Sequence, residues 1–314
     1  MKLLLPDSLQ FSLNLPPEVR EVTYDAAGPV PPEHLDAEAL VVWGSSGGDI
    51  AAVADRMPNL RWVQTLAAGP ESVLAAGFPD QVVLTSGAGL HDRTVTEHAI
   101  ALVLALLRRL PQAGMAQAER RWAGELGGVQ PLHPVGAVTS LIDARVLVWG
   151  FGNIGQSLAP VLQQLGAQVR GVARSAGTRG GFEVVAEDQL DNELRRTDVL
   201  VMILPATKAT RDALDARRLA ALPRHAYVVN VGRGSTVDEA ALVTALNAGD
   251  VAGAALDVTA TEPLPQDSPL WDAKNLVLTP HAAGGRPVGA DALIGENVAA
   301  LLAGEPLRNR IDRA

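Results

Sequence analysis

Strand-like apolar runs alternate with helical stretches along nearly the whole chain, and this alternation narrows its fold more than any other feature. In the first third the runs are "ALVVWG" (39–44), "LRWVQTL" (60–66) and "QVVLTSG" (81–87). From Asp143 onward they are "RVLVWG", "QVRGVA", "DVLVMILP", "AYVVNVG", "AGAALDV" and "NLVLTPH". A strand covered on both faces reads as a nearly continuous apolar run, and intervening stretches such as "DIAAVADRM" carry apolar residues at helical spacing. The alternation predicts an α/β protein, with doubly wound parallel sheets and helices on both faces.

A chain of 314 residues is long for one core and comfortable for two. Hydrophobic residues make up 47% and charged residues 19%, a globular balance. There is no cysteine, which excludes disulfides, thiolate nucleophiles and Cys-ligated metals. The six histidines have no HExxH-type spacing, so no metal site is expected. A net charge of −9 with no basic tract argues against nucleic acid as a partner. The opening "MKLLLPDSLQF" is broken by Pro6 and Asp7, and no apolar run approaches a membrane span. The expectation is a soluble, cytoplasmic protein without a membrane partner.

The stretch "VLVWGFGNIGQSLA" (146–159) runs from a strand pattern through Gly150, Gly152 and Gly155 into a helix. A glycine-rich strand-to-helix turn is either tight packing alone or a dinucleotide cradle; the βα context favours the cradle. There Gly150 makes the sharp turn, Gly152 lets the backbone approach a pyrophosphate, and Gly155 lets helix pack on strand. Asn153 and Ile154 would cover the phosphates at the helix N-terminus. The next strand, "QVRGVARS", has Ala173 where an acid would hold a ribose 2′-OH, followed by Arg174 and Ser175. Arg174 is either a solvated loop residue or, with Ser175, a ligand for a 2′-phosphate. The latter favours NADP, with NAD as the alternative.

Three further stretches follow candidate strands: "VVNVGRGSTVDEAAL", "AALDVTATEPLPQDSPLW" and "NLVLTPHAAG". Arg233 in "GRG" offers a forked guanidinium for a carboxylate and a polarised carbonyl. His281 is a candidate acid/base, and Glu262 a candidate partner for the ring's far nitrogen, with Pro263 and Pro280 stiffening their loops.

With the glycine turn, these stretches closely resemble the D-isomer-specific 2-hydroxyacid dehydrogenases over nearly the whole chain. The resemblance implies a Rossmann-type cofactor domain (103–285) inserted in a flavodoxin-like substrate domain (1–102 plus 286–314). The segment "RTVTEHAIALVLALLRRLPQAGMAQAERRW" would bridge the two at its start, and "ADALIGENVAALLAGE" would return to the first. It implies a homodimer formed through the cofactor domain and reduction of a small 2-keto acid to the D-2-hydroxy acid. Arg233, Glu262 and His281 take the roles given above. Asp257 would bind the nicotinamide carboxamide. Leu204, Pro205 and Thr207 of "LPATKATR", with Val231 and Gly232, would line the cofactor. The amides of Ala67, Ala68 and Gly69 in "TLAAGPES" would hold the substrate carboxylate, although Gly-Pro-Glu stands where the family commonly has Gly-Val-Asp.

"ALVVWGSS", with Trp43, and "HAAGGRP", with Arg286, resemble NADPH-preferring glyoxylate/hydroxypyruvate reductases and make both residues substrate-side candidates. Trp43 also reads as simple core, the commoner fate of a tryptophan. Two alternatives stand beside this reading. One is a formate-type dehydrogenase, which would carry Gln at position 262. The other is a non-catalytic NAD(P)-sensing regulatory protein on the same fold.

Overall fold

The computed structural model describes residues 1–45 and 47–313, so Ser46, at the end of "ALVVWGSS", lies outside it. The chain divides into two compact units, Met1–His91 with Arg286–Ala314, and Asp92–Gly285.

The smaller unit contains β1 (Lys2–Pro6), β2 (Arg20–Tyr24), β3 (Ala39–Val42), β4 (Trp62–Thr65) and β5 (Val83–Thr85). They form a parallel sheet in the order β2-β1-β3-β4-β5. Alternate side chains serve opposite faces. Leu4, Leu40, Val42 and Val63 pack with Ile50 and Val53 of the helix Gly47–Ala54. Leu3, Leu5, Val41 and Trp62 pack with Leu293, Ile294 and Val298 of the helix Ala290–Ala303. Buried Asn297 ties that returning helix down, donating to Gln64 Oε1 at 2.9 Å and accepting from Arg308 N at 2.7 Å. The apolar-run pattern misses β1 and β2. The β2 stretch "REVTY" is an edge strand whose residues are mostly exposed, so it lacks a buried strand's composition.

The larger unit holds β6 (Arg145–Trp149), β7 (Gln168–Ala173), β8 (Gly177–Arg179), β9 (Phe182–Ala186), β10 (Val199–Met202), β11 (Tyr227–Asn230), β12 (Gly253–Leu256) and β13 (Leu276–Leu278). Their order is β13-β12-β11-β10-β6-β7-β9-β8, parallel except for β8, which pairs antiparallel with β9. Val146, Val148, Val199, Val201 and Val229 face one core, with Leu158 and Leu162 of the helix Asn153–Gln164. Leu147, Trp149, Leu200, Met202 and Val228 face the other, with Leu242 and Leu246 of the helix Glu239–Ala248.

The first boundary falls at 91/92, not at the expected 102/103. Val95, Ala99, Leu102, Val103 and Leu106 of the helix Asp92–Leu107 are all buried in the larger unit's core, so the helix belongs there from its start. The segment then bends by 65° at Arg109, which has φ 51°, into the helix Leu110–Ala118. No single described helix is long and apolar enough to cross a membrane.

Asp198, just before β10, is buried to 7% side-chain exposure. It accepts from Arg145 Nε at 3.0 Å, Arg145 Nη2 at 2.7 Å and Arg145 N at 2.8 Å, and His225 Nε2 lies 2.8 Å away. Burial works against the charge, yet the bonds from Arg145 and His225 hold the carboxyl below the usual range. Asp198→Asn should lower the unfolding free energy by about 3 kcal/mol near neutral pH, read by urea denaturation. A carboxyl with a lowered folded pKa stabilises above its unfolded pKa and loses that as pH falls through the folded value. The gap between wild type and variant should therefore narrow below about pH 4.

Candidate active site

In the larger sheet the chain leaves β6 toward β7 on one side and reaches β10 on the other, so the switch in strand order lies at the carboxyl end of β6. Ligands of doubly wound folds bind in that crevice. Gly150 sits there at φ +99°, and a Cβ on it would lie 2.5 Å from the Ile203 carbonyl oxygen. Only glycine lets this turn lie against the loop after β10. A Cβ on Gly155 would meet Gly150 O at 3.2 Å, which is helix-to-strand packing. A Cβ on Gly152 meets nothing within 4 Å. Gly152 is the N-cap of the helix Asn153–Gln164, and no side chain caps it. First-turn N–H groups, those of Asn153 and Ile154 among them, are therefore left to a group outside the helix. Open space before an uncapped helix start fits the pyrophosphate of a dinucleotide.

Ala173 ends β7, and Arg174 and Ser175 beyond it are exposed. Arg179 of β8, which sequence reading missed, binds this turn. Its Nη1 donates to Phe151 O at 3.0 Å, and its Nη2 to Ser175 O and Oγ, each at 3.0 Å. The guanidinium thus joins the glycine turn to the Arg174–Ser175 turn. The only signal was the Gly-Gly pair after "TR", at φ +57° and +86°, which makes the β8–β9 hairpin.

Leu204 is buried after β10, while Pro205 and Thr207 are exposed, and Thr210 Oγ1 donates to Pro205 O at 2.6 Å. After β11, Val231 and Gly232 are buried, and a Cβ on Gly232 would lie 2.6 Å from Leu204 N. Buried Asn230, also missed, shapes the arginine turn. Its Oδ1 accepts from Gly232 N at 3.0 Å, and its Nδ2 donates to Arg233 O at 3.1 Å. Arg233 is partly exposed, with Nη1 donating to Gly232 O at 2.9 Å. A Cβ on Gly234 would fall 1.9 Å from the Thr259 carbonyl carbon, so the arginine turn and the Glu262 loop meet backbone to backbone.

His281 Nδ1 lies 2.7 Å from Glu262 Oε2, and the side chains are 46% and 38% exposed. Thr259 N donates to Glu262 Oε1 at 3.0 Å. Beside the pair lies an apolar cavity of about 700 Å³, lined by Pro263, Leu264, Trp271, Leu278 and Pro280. Asp257, expected at a nicotinamide carboxamide, is only 1% exposed. What the structure shows it doing is holding the histidine loop: its carboxylate accepts from Ala282 N at 2.8 Å, Ala283 N at 3.0 Å and Thr279 Oγ1 at 2.6 Å.

In the smaller unit, Ala67, Ala68 and Gly69 follow β4. The Ala67 N–H already donates to Thr65 Oγ1 at 3.1 Å, so it is not the open amide expected of it. Trp43 is partly buried against the core and stacks on His91 with centroids 5.5 Å apart. Arg286 is exposed. Among the described residues no group of three or more His, Asp or Glu could hold a metal.

A doubly wound sheet with a glycine turn at its switch point defines a dinucleotide-binding protein. The family model described as D-isomer specific 2-hydroxyacid dehydrogenase, NAD binding domain, matches residues 100–283. The glyoxylate/hydroxypyruvate reductase A of Klebsiella pneumoniae (strain 342) is 35% identical over 81% of this chain and 81% of its own. A D-isomer specific 2-hydroxyacid dehydrogenase from Xanthobacter autotrophicus Py2, solved with NADPH and MES, superposes with TM-score 0.77 at 35% identity, covering 94% of this chain and 90% of its own. The NADPH-dependent glyoxylate/hydroxypyruvate reductase of Sinorhizobium meliloti, solved with NADP and sulfate, has TM-score 0.79 at 28% identity over 99% and 98%. The chain belongs to the D-isomer specific 2-hydroxyacid dehydrogenase family, whose members are NAD(P)-dependent oxidoreductases.

The glycine geometry separates two effects. Gly150→Ala places a methyl group against backbone at a disfavoured φ and should cost about 2 kcal/mol or more of stability in thermal or urea unfolding. Gly152→Ala meets open space at φ −92° and should change stability by no more than about 0.5 kcal/mol, while weakening NADPH binding in a fluorescence titration.

Proposed function

We propose that the protein reduces a small 2-keto acid of the glyoxylate or hydroxypyruvate kind to the D-2-hydroxy acid, with NADPH preferred over NADH, as a cytoplasmic homodimer. The observation that carries this reading is the 2.7 Å contact between His281 Nδ1 and Glu262 Oε2. With Nδ1 engaged by the carboxylate, which fixes the ring's orientation, Nε2 is the nitrogen left to face a substrate oxygen.

A bound reduced nicotinamide supplies the hydride. Arg233 holds the substrate carboxylate and draws charge toward the carbonyl oxygen. As the carbonyl carbon gains the hydride, its π pair moves onto oxygen and His281 Nε2 gives up a proton to that oxygen. The ring is left neutral beside Glu262, and oxidation runs the same transfers backward. In the larger unit Gly150, Gly152, Asn153, Ile154, Gly155, Leu204, Pro205, Thr207, Val231 and Gly232 serve the cofactor, while Asp257 holds the His281 loop.

The NADPH preference is supported by exposed Arg174 and Ser175 after Ala173, and by relatives solved with NADPH or NADP. Dimerisation through the larger unit is supported by an exposed apolar series on one segment: Leu110, Met115, Trp122, Val129 and Val135.

A panel of 2-keto acids assayed with NADPH and NADH tests the whole reading, which fails if no 2-keto acid is turned over. Within it, His281→Ala should lower kcat by roughly 10²–10⁴-fold while NADPH still binds; an unchanged kcat removes His281 from proton transfer. Wild type should favour NADPH in kcat/KM. Ala173→Asp with Arg174→Ala should reverse that by repelling the 2′-phosphate and offering the ribose an acceptor. Equal use of both cofactors by wild type would leave Arg174 a solvated loop residue.

A further inference from the structure

Helix Asp92–Leu107 carries a second histidine that the reading above does not use. His98 Nε2 lies 3.0 Å from Thr279 Oγ1 and 3.2 Å from Asp257 Oδ1, and its side chain is 22% exposed. Both neighbours belong to the clamp around His281. We propose that His98 is a positioning residue, fixing through Thr279 and Asp257 the loop that presents the His281 imidazole. The inference rests on His281 being the proton donor proposed above.

His281 has φ +51°, a left-handed backbone that a residue with a Cβ keeps only where its surroundings hold it. Those surroundings are specific. The His281 N–H donates to Asp257 O at 2.8 Å and to Thr279 O at 3.0 Å. The Asp257 carboxylate then takes the next two amides, Ala282 N and Ala283 N, so one residue grips the chain immediately before and after the ring it must aim.

The proton count assigns His98 its part. Thr279 has one hydroxyl proton, and at 2.6 Å from Asp257 Oδ1 it is given to the carboxylate, which has none to give in return. The Thr279 oxygen therefore accepts from His98, and Nε2 carries a hydrogen shared between Thr279 Oγ1 and Asp257 Oδ1. A carboxylate with 1% exposure depends on such donors, because a buried charge that loses one is left short of compensation. His98 is also the donor that comes from outside the loop. Its helix is seated by Ala99, Leu102 and Val103, all buried in the unit's core, so it refers the loop's position to the packed interior.

The test uses the full chain with NADPH and glyoxylate, or whichever 2-keto acid the panel selects. His98→Leu removes the donor. His98→Gln keeps an N–H at about the position of Nε2–H. His98→Leu should lower kcat about 10- to 100-fold, as a misplaced reacting group does, while KM and the NADPH Kd stay within roughly threefold. His98→Gln should restore most of kcat. In ¹⁵N imidazole spectra the His281 resonances should move in His98→Leu and return in His98→Gln. Thr279→Val, which keeps shape but loses the hydroxyl, reaches the same link by another route and should reproduce the kcat loss if His98→Leu fails to fold. A wild-type kcat in His98→Leu or in Thr279→Val overturns the proposal. So does equal impairment of the Leu and Gln variants, or a loss that disappears once kcat is expressed per NADPH-binding site. His281→Ala is run alongside: if it keeps wild-type kcat, the proton-donor reading fails, and the imidazole spectra still report whether His98 holds the loop.

Discussion

Four loops at the carboxyl edge of the larger sheet touch in three places through main chain. The Gly150 turn lies against Ile203, Gly232 against Leu204, and Gly234 against Thr259, each at a distance that a Cβ would close. Main-chain contacts of this kind have no rotamers to change, so the spacing between loops follows from peptide geometry and strand register. The open space at Gly152, the Arg233 turn and the Glu262 loop are therefore placed relative to one another before any side chain reaches a ligand. Such support is what holds a site's side chains in productive geometry.

Two buried carboxylates do related work at opposite ends of the strands. Asp198 precedes β10 and binds Arg145 and His225, joining the segments that lead into β6, β10 and β11. Asp257 follows β12 and binds the loop after β13. Both are nearly inaccessible, and both are surrounded by donors, which is the condition for keeping a charge inside. The Glu262–His281 pair contrasts with them, at 38% and 46% exposure. The histidine proposed to give a proton to substrate and its carboxylate partner are open, and the acid that holds the histidine loop is buried.

A net charge of −9 coexists with a local cluster of cations beside the glycine turn. Arg179 is fastened to Phe151 O and Ser175, and exposed Arg174 precedes Ser175 in the chain. A local positive field of this kind acts on an anionic cofactor with little regard to the overall charge at physiological ionic strength, because distant charges are screened over about 8 Å. The hydrogen bonds also make Arg179 a brace between the two turns.

Local pattern carried much of this structure. Runs such as "RVLVWG" and "DVLVMILP" are legible because strands covered on both faces must be apolar throughout, and β6, β10, β11 and β12 appear where those runs stand. The Gly150 turn, Arg233, Glu262 and His281 are legible because each sits in the loop that follows a strand-like run. Edge strand β2 and hairpin strand β8 are not, since exposed residues leave no apolar signature. The boundary at 91/92 was hidden because a long apolar helix announces burial without saying in which core. Asn230, Arg179 and His98 act by hydrogen bonds to groups chosen by the fold, and His98 meets Thr279 across 181 positions of sequence. What the sequence determined by itself was the alternation of the apolar strands with helices and the chemistry offered at strand ends, both properties of neighbouring residues. Which buried acid grips which loop was decided only by tertiary structure, because parallel strands bring their carboxyl ends together from segments that share no local signal.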